Sequence, residues 1–480
     1  MKMRVSKLFP VLLLAAACGD SSVAVDARVR IDGPRIDGNI SDGPIDGGVV
    51  DGATPDAPIN SATRVWVTGD LAVDNQLRAG TFLEGATLPV TPTLIPATGN
   101  LAANGKSFDV SADGAKVAYL ADSTTAGRFD LFVAGADGSN PVAVFQAPAG
   151  VTLSNPQFSP DGTKIAYLAD PTLASMKDLF MVPATANATP VKLSPARAAN
   201  NAGLSVFASL MWSPDSKYIG YSARITAVGF DEALIVDTSA ATPVSAFVIP
   251  RADIAMQGAN GAQGVRGFAA FDNAGHVYFR ARLEVAGQFK LYRANVDGTA
   301  RVALALAPVR GDASVPDFGA FAVTPDGTKM VFSADAPTLG IYQLYNVTLA
   351  NPVPLKLTNS LVASTEPAFN SPLLFSPDVT RVAFIADYKV NGDFEPHVAK
   401  LDGTSDTRLV TVAVMNGDTE ALAWTRDGAG LYCQGDLVTN NETRLFRLAA
   451  GTADQTLTPA LAGLPVTGAD VDGVYGVPKL

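Results

Sequence analysis

A segment of one design returns seven times in this chain: an aromatic or apolar residue, a turn of the Pro-Asp-Gly kind, then an apolar run. It reads SFDVSADGAKVAYLAD at Phe108, PQFSPDGTKIAYLAD at Phe158, LMWSPDSKYIGYSAR at Met211, AAFDNAGHVYFRAR at Phe271, AFAVTPDGTKMVFSAD at Phe321, LLFSPDVTRVAFIAD at Phe375 and ALAWTRDGAGLYCQGD at Trp424. Successive anchors lie 50, 53, 60, 50, 54 and 49 residues apart. A period held over this length marks an array of like units that share a core, not a string of independent domains.

A second piece follows each first one: DLFVAGADGSNPVAVF, DLFMVPATANATPVKL, ALIVDTSAATPVSAFV, KLYRANVDGTARVAL, QLYNVTLANPVPLKLT, HVAKLDGTSDTRLV and RLFRLAAGTADQTLT. The unit therefore predicts four short strands. Pro presets φ at the second turn position, Asp caps the turn, and Gly takes positive φ. Runs such as Val117-Ala118-Tyr119-Leu120 and Ile165-Ala166-Tyr167-Leu168 are apolar throughout, as strands covered on both faces require. Hydrophobic residues at 48%, charged residues at 17%, 43 Gly and 32 Pro suit a turn-rich β protein.

A four-stranded antiparallel sheet cannot cover its own faces. Stacking such sheets radially does so, which predicts an all-β β-propeller. Arg64-Val65-Trp66-Val67 matches a second strand with no first strand before it, and residues 468–476 match a first strand with none after. Joining them makes one blade from both termini and removes an exposed edge. The expectation is eight blades, with seven as the alternative.

Phe-Ser-Pro-Asp-Gly-Thr-Lys-Ile-Ala-Tyr at 158–167 resembles the propeller repeat of the TolB family, and also the propellers that precede the catalytic domain of prolyl oligopeptidases. The likeness spans residues 64–480. It implies architecture, since the repeat residues are structural throughout. TolB-like proteins add an N-terminal α/β domain that this sequence does not match, which sets a Tol-Pal transport role aside.

Residues 1–17 begin with Lys2, Arg4 and Lys7, then an apolar run from Leu8 to Leu14, then small residues: the pattern of an export signal too short to span a bilayer. Leu14-Ala15-Ala16-Ala17-Cys18 resembles the bacterial lipobox, which implies lipidation at Cys18. Gly19 follows where Asp would favour inner-membrane retention, so the resemblance implies an outer-membrane lipoprotein facing the periplasm or the cell surface. Cleavage removes three cations and leaves a net charge of −14. An acidic body with no basic block disfavours nucleic acid as a partner. Residues 18–60 follow as a tether, in which Asp26, Asp32, Asp37, Asp42, Asp46, Asp51 and Asp56 recur without an aromatic, so disorder is expected. As a flexible coil it would hold the body on the order of 35 Å from the membrane. Its carboxylates are too widely spaced for a calcium loop. Residues 61–480 form the propeller.

Catalytic motifs are not found. The sequence has no Gly-x-Ser-x-Gly elbow and no phosphate-binding loop, and its two histidines, His276 and His397, fall in different units, which disfavours a triad or a multi-histidine metal centre. Asp113, Asp161, Asp215, Asp326, Asp378 and Asp427 sit in turns, where backbone capping is the expected role. Cys433 lies in an apolar run and is expected to be a small buried hydrophobe. No cofactor is expected. The expected function is therefore a monomeric, non-catalytic envelope module binding a protein, peptide or glycan through its longest insertions, at residues 196–209, 251–267 and 307–318. The alternative is a lactonase-like or glycan-cleaving propeller enzyme using acidic channel residues and calcium.

Overall fold

The computed structural model describes residues 64–475 with interruptions; residues 1–63 and 476–480 lie outside the described residues, as do several connections, the longest being 250–262, 307–317, 359–372 and 456–470. Cys18 and the tether thus fall outside them. Among the described residues every regular element is a strand, and no helix is long and apolar enough to cross a membrane.

The strands fall into successive antiparallel meanders of four strands, save the last, of which three lie among the described residues, and the fourth and fifth are joined into one sheet by a parallel pairing. The first comprises β1 (Arg64–Asp70), β2 (Leu77–Leu83) and β3 (Thr93–Ile95). The second holds β4 (Phe108–Val110), β5 (Lys116–Thr125), β6 (Arg128–Gly135) and β7 (Val142–Phe145). The third holds β8 (Leu153–Phe158), β9 (Lys164–Ala169), β10 (Asp178–Pro183) and β11 (Val191–Lys192). The fourth holds β12 (Val206–Trp212), β13 (Tyr218–Ala223), β14 (Phe230–Asp237) and β15 (Ser245–Ile249). The fifth holds β16 (Gln263–Phe271), β17 (His276–Ala281), β18 (Lys290–Asn295) and β19 (Val302–Ala303). The sixth holds β20 (Phe318–Val323), β21 (Lys329–Ala334), β22 (Gln343–Thr348) and β23 (Asn351–Lys356). The seventh holds β24 (Leu374–Phe375), β25 (Arg381–Asp387), β26 (Phe394–Lys400) and β27 (Asp406–Arg408). The eighth holds β28 (Thr419–Trp424), β29 (Gly430–Gly435) and β30 (Arg444–Ala449). The last strand, β31 (Val471–Tyr475), pairs with β1, so the sheet order there is β3-β2-β1-β31.

The all-β propeller predicted from the repeat is the fold found. Register refines the anchors: Val110 pairs with Val117, Phe158 with Ile165, Trp212 with Ile219, Val323 with Met330, Phe375 with Val382 and Trp424 with Leu431. Val110, Trp212 and Val323 therefore end their first strands, one or two residues beyond the anchors chosen by aromatic identity at Phe108, Met211 and Phe321. Strand position is set by the turn's hydrogen bonds and not by the size of the preceding side chain. First strands also carry β-bulges against their second strands, between Ser154 and Gln157, Val206 and Leu210, Val265 and Phe268, Phe318 and Phe321, and Thr419 and Ala421.

The core lies between sheets. Leu120, Leu131 and Val144 of the second unit pack with Phe158, Ile165 and Tyr167 of the third. Leu168 and Leu179 of the third pack with Trp212, Ile219 and Tyr221 of the fourth. The same layering continues through the later units, and β28 and β29 lie against β31. Within a unit, rings stack across the second and third strands: Tyr119 on Phe132 at 5.4 Å, Tyr167 on Phe180 at 5.8 Å, Phe279 on Tyr292 at 5.6 Å and Phe332 on Tyr345 at 5.6 Å. In the seventh unit His397 replaces the second ring, stacking on Phe384 at 5.3 Å.

Candidate functional site

Because each unit is an antiparallel meander, first-to-second and third-to-fourth turns share one end of every sheet. Second-to-third connections and the links between units share the other. The two ends are built differently. The first-to-second turns, 111–115, 159–163, 213–217, 272–275, 324–328, 376–380 and 425–429, are four or five residues long. The links between units, from 146–152 to 357–373, run from seven to seventeen.

At the short-turn end the chemistry is local. Ser159 O accepts from Gly162 N at 2.8 Å, Gly162 takes φ +68°, and Ser159 N closes on Lys164 O at 2.9 Å. Asp161 Oδ1 accepts from Ser159 Oγ at 2.5 Å and Thr163 N at 3.0 Å. The pattern repeats at Asp113 with Ser111 and Ala115, Asp215 with Ser213 and Lys217, Asp326 with Thr324 and Thr328, Asp378 with Ser376 and Thr380, and Asp427 with Thr425 and Ala429. Burial alone would push the Asp161 carboxyl up; hydrogen bonds from Ser159 and Thr163 and the charge of Lys164 outweigh it and hold it below its ordinary value. Asp215, Asp326 and Asp378 are lowered by the same balance. Sequence reasoning missed the role of the Ser or Thr two residues before each Asp, although it is visible as a recurring Ser/Thr-x-Asp, with Pro between them in four of the six.

The fifth unit departs from this pattern. Its turn, Asp272-Asn273-Ala274-Gly275, is one residue shorter, and Asp272 stands where the others have Ser or Thr. Asp272 Oδ1 accepts from Ala274 N at 3.0 Å and His276 N at 2.9 Å, while Oδ2 meets His276 Nδ1 at 2.8 Å and Tyr278 Oη at 3.0 Å. His276 thus orders a turn. Burial, together with the Asp272 carboxylate, pushes the Tyr278 phenol up.

At the long-connection end, carboxylates at the close of second strands tie down the incoming chain. Asp122 Oδ1 accepts from Asn100 N at 2.7 Å and Asp170 Oδ1 from Thr152 N at 2.6 Å. A second recurrent position opens the third strands: Asp130, Asp178, Glu232, Gln343 and Glu395, all buried. These side chains clasp neighbouring chain. Asp130 Oδ1 accepts from Ala147 N at 2.9 Å, Asp178 Oδ1 from Ser194 Oγ at 2.9 Å, and Gln343 Oε1 from Thr358 Oγ1 at 2.9 Å. Arg197 also pairs with Asp178 at 2.8 Å and donates to Met176 O and Lys177 O. The written signal was the Asp-Leu-Phe of two units, which diverges to Gln-Leu-Tyr and beyond.

The remaining sequence candidates are dispersed. His397 is buried beside Asp406 at 3.4 Å, and Cys433 is a buried thiol outside any disulfide, with Thr419 Oγ1 and Gln434 O each at 3.9 Å. His276 and His397 lie in separate units, and among the described residues no three His, Cys, Asp or Glu side chains gather as metal ligands. First strands differ in cover: every residue of β4, β8 and β24 is buried, whereas the four central residues of β20 are half-buried. The insertions at 251–267 and 307–318 fall largely outside the described residues, as does 198–203 within the first insertion.

No family model and no curated protein matches the chain. Solved structures similar to it include TolB from Acinetobacter baumannii, at 16% identity and a TM-score of 0.35, covering 61% of this chain and 63% of that one. An oligogalacturonate lyase in complex with manganese matches at 13% identity and 0.45, covering 71% and 87%. The β-propeller domain of the Trilobed protease from Pyrococcus furiosus, described as having an open velcro topology, matches at 12% and 0.44, covering 74% and 94%. The chain thus spans under two thirds of the Acinetobacter protein.

Proposed function

We propose that this protein is an exported, lipid-anchored, non-catalytic module whose eight-unit ring, closed by β31 on β1, binds an envelope protein, peptide or glycan at its long-connection end. One observation carries the reading: the self-capped first-to-second turns, four or five residues each, lie at one end, and the links between units, seven to seventeen residues long and dissimilar, lie at the other. Binding surfaces are drawn from variable loops on a rigid frame. The turn carboxylates, which an acid–base enzyme of this kind would need, are already committed to Ser, Thr and backbone donors. Cys18 supplies the anchor, with the acyl chains holding the protein to the membrane.

Photo-crosslinkers at Ala126 and Ala115 test the assignment of ends, since these exposed residues lie at opposite ends of the second unit. Capture of a single envelope species from Ala126 but not Ala115 is expected. Equal capture from both, or capture from Ala115 alone, overturns it. Separately, Cys18→Ser is expected to move the protein from the membrane to the soluble fraction, and retention on the membrane refutes lipid anchoring.

A further inference from the structure

Second strands close on Asp in five of the seven repeats, at Asp122, Asp170, Asp335, Asp387 and Asp436, but on Arg in the fourth and fifth, at Arg224 and Arg282. Arg224 occupies the same backbone site: its N–H donates to Ser205 O at 2.8 Å, as Asp122 N does to Asn100 O and Asp170 N to Thr152 O. A guanidinium cannot accept the N–H that Asp122 and Asp170 accept, so the inversion forfeits a structural bond.

What replaces that bond is a mount. Arg224 Nε donates to Asp231 Oδ1 at 2.6 Å, and its guanidinium carbon sits 5.1 Å from the centre of the Phe207 ring. Asp231 is nearly fully buried, whereas Arg224 retains 25% of its side-chain exposure. The other carboxylate beside it, Glu232, is saturated by Ile225 N, Thr226 N and Thr226 Oγ1. Below the mount, Phe230 and Asp231 of β14 form a parallel bridge with Gln263 and Gly264 of β16, which fixes the corner between the units. Among the described residues, NH1 and NH2 of Arg224 make no hydrogen bond. They are a pair of donors at the long-connection end, on a side chain held at its Nε by Asp231 and at its plane by the Phe207 ring, and still 25% exposed. Residues 263–306, the adjoining unit, hold six basic and three acidic residues in a chain of net charge −11, so the formal charge of this unit is opposite in sign to that of the chain.

We propose that Arg224 is a recognition residue for an oxyanion, a carboxylate or phosphate group carried by the bound partner, which its terminal nitrogens grip side by side. Such forks hold planar oxyanions better than an ammonium can, and pre-orientation on a ring and a carboxylate lowers the ordering cost of binding. This deepens the assignment of the long-connection end as the binding face and rests on it.

The full chain is titrated with citrate, inorganic phosphate and neutral maltotriose, with the arginine Nε–Hε resonances and a calorimetric isotherm as readouts. Saturable binding of citrate, phosphate or both is expected, and maltotriose is not expected to bind; whichever anion binds more tightly identifies the source of the group. Arg224→Gln should weaken binding about ten-fold or more. Arg224→Lys should recover only part of it, and Arg447→Gln, on the exposed face of β30, should bind as the unaltered chain does. Binding by Arg224→Gln equal to that of the unaltered chain overturns the proposal, as does the absence of saturable binding by either anion. If crosslinking from Ala126 persists under those results, the binding face stands and only the residue is wrong; if it is lost, both fall.

Discussion

Two glycines separate the conformational cost of a turn from the cost of crowding a neighbouring unit. Gly275 and Gly327 have φ of +82° and +67°, so alanine at either enters the left-handed region at about 1 kcal/mol. A Cβ at Gly275 meets nothing within 4 Å, whereas one at Gly327 would lie 2.5 Å from Asp272 Oδ2 and 3.1 Å from its Cβ and Cγ. Asp272 cannot yield cheaply, because it accepts from Ala274 N, His276 N, His276 Nδ1 and Tyr278 Oη, and the two turns are already joined by Asn273 N to Pro325 O at 2.8 Å. Displacing a buried carboxylate from such partners costs about 1–3 kcal/mol further. Gly327→Ala should therefore destabilise by about 2–4 kcal/mol and Gly275→Ala by about 1 kcal/mol. Urea unfolding followed by tryptophan fluorescence measures both. In an Asp272→Ser background, the shorter side chain should relieve the Gly327→Ala penalty by about half. Equal costs for the two glycines, or full additivity of the double variant, would refute the claim that this turn is wedged against the fifth unit.

Other expectations concern charge. Asp161, Asp215, Asp326 and Asp378 are lowered in the folded chain relative to their ordinary value. Their contribution to stability is thus complete above pH 4 or so and is lost as pH falls through the folded values. Urea midpoints from pH 6 to pH 3 should decline, and Asp161→Asn should flatten that slope. Arg381 donates to Gly428 O at 2.7 Å and Ala450 O at 3.3 Å and lies over Trp424 at 5.1 Å, linking the seventh and eighth units. Arg381→Ala should cost about 1–3 kcal/mol by urea unfolding, and a change under half of that would show the link to be incidental.

What was legible in the sequence is what is local. The Ser159–Lys164 turn writes its own hydrogen bonds within six residues, so Pro160-Asp161-Gly162 could be read without neighbours. The partnership of Arg64–Asp70 with Val471–Tyr475 was legible for a different reason: each lacked a complement in its own unit. The clasping carboxylates were not legible as such, because Asp130 and Ala147, or Asp178 and Ser194, sit 17 and 16 residues apart across a fourth strand of changing length. Nor was the role of Arg224, since a change of sign at one repeat position acquires meaning only beside Phe207 and Asp231.

The outermost strands of the third and fifth units, β11 and β19, are two residues long. A ladder so brief supplies few backbone bonds, and in the third unit the carboxylate of Asp178 reaches round to fasten the chain beyond it at Ser194. The perimeter of this molecule is buttoned more than woven. A button can be undone singly, so amides there should exchange with deuterium through local opening while the inner strands stay protected.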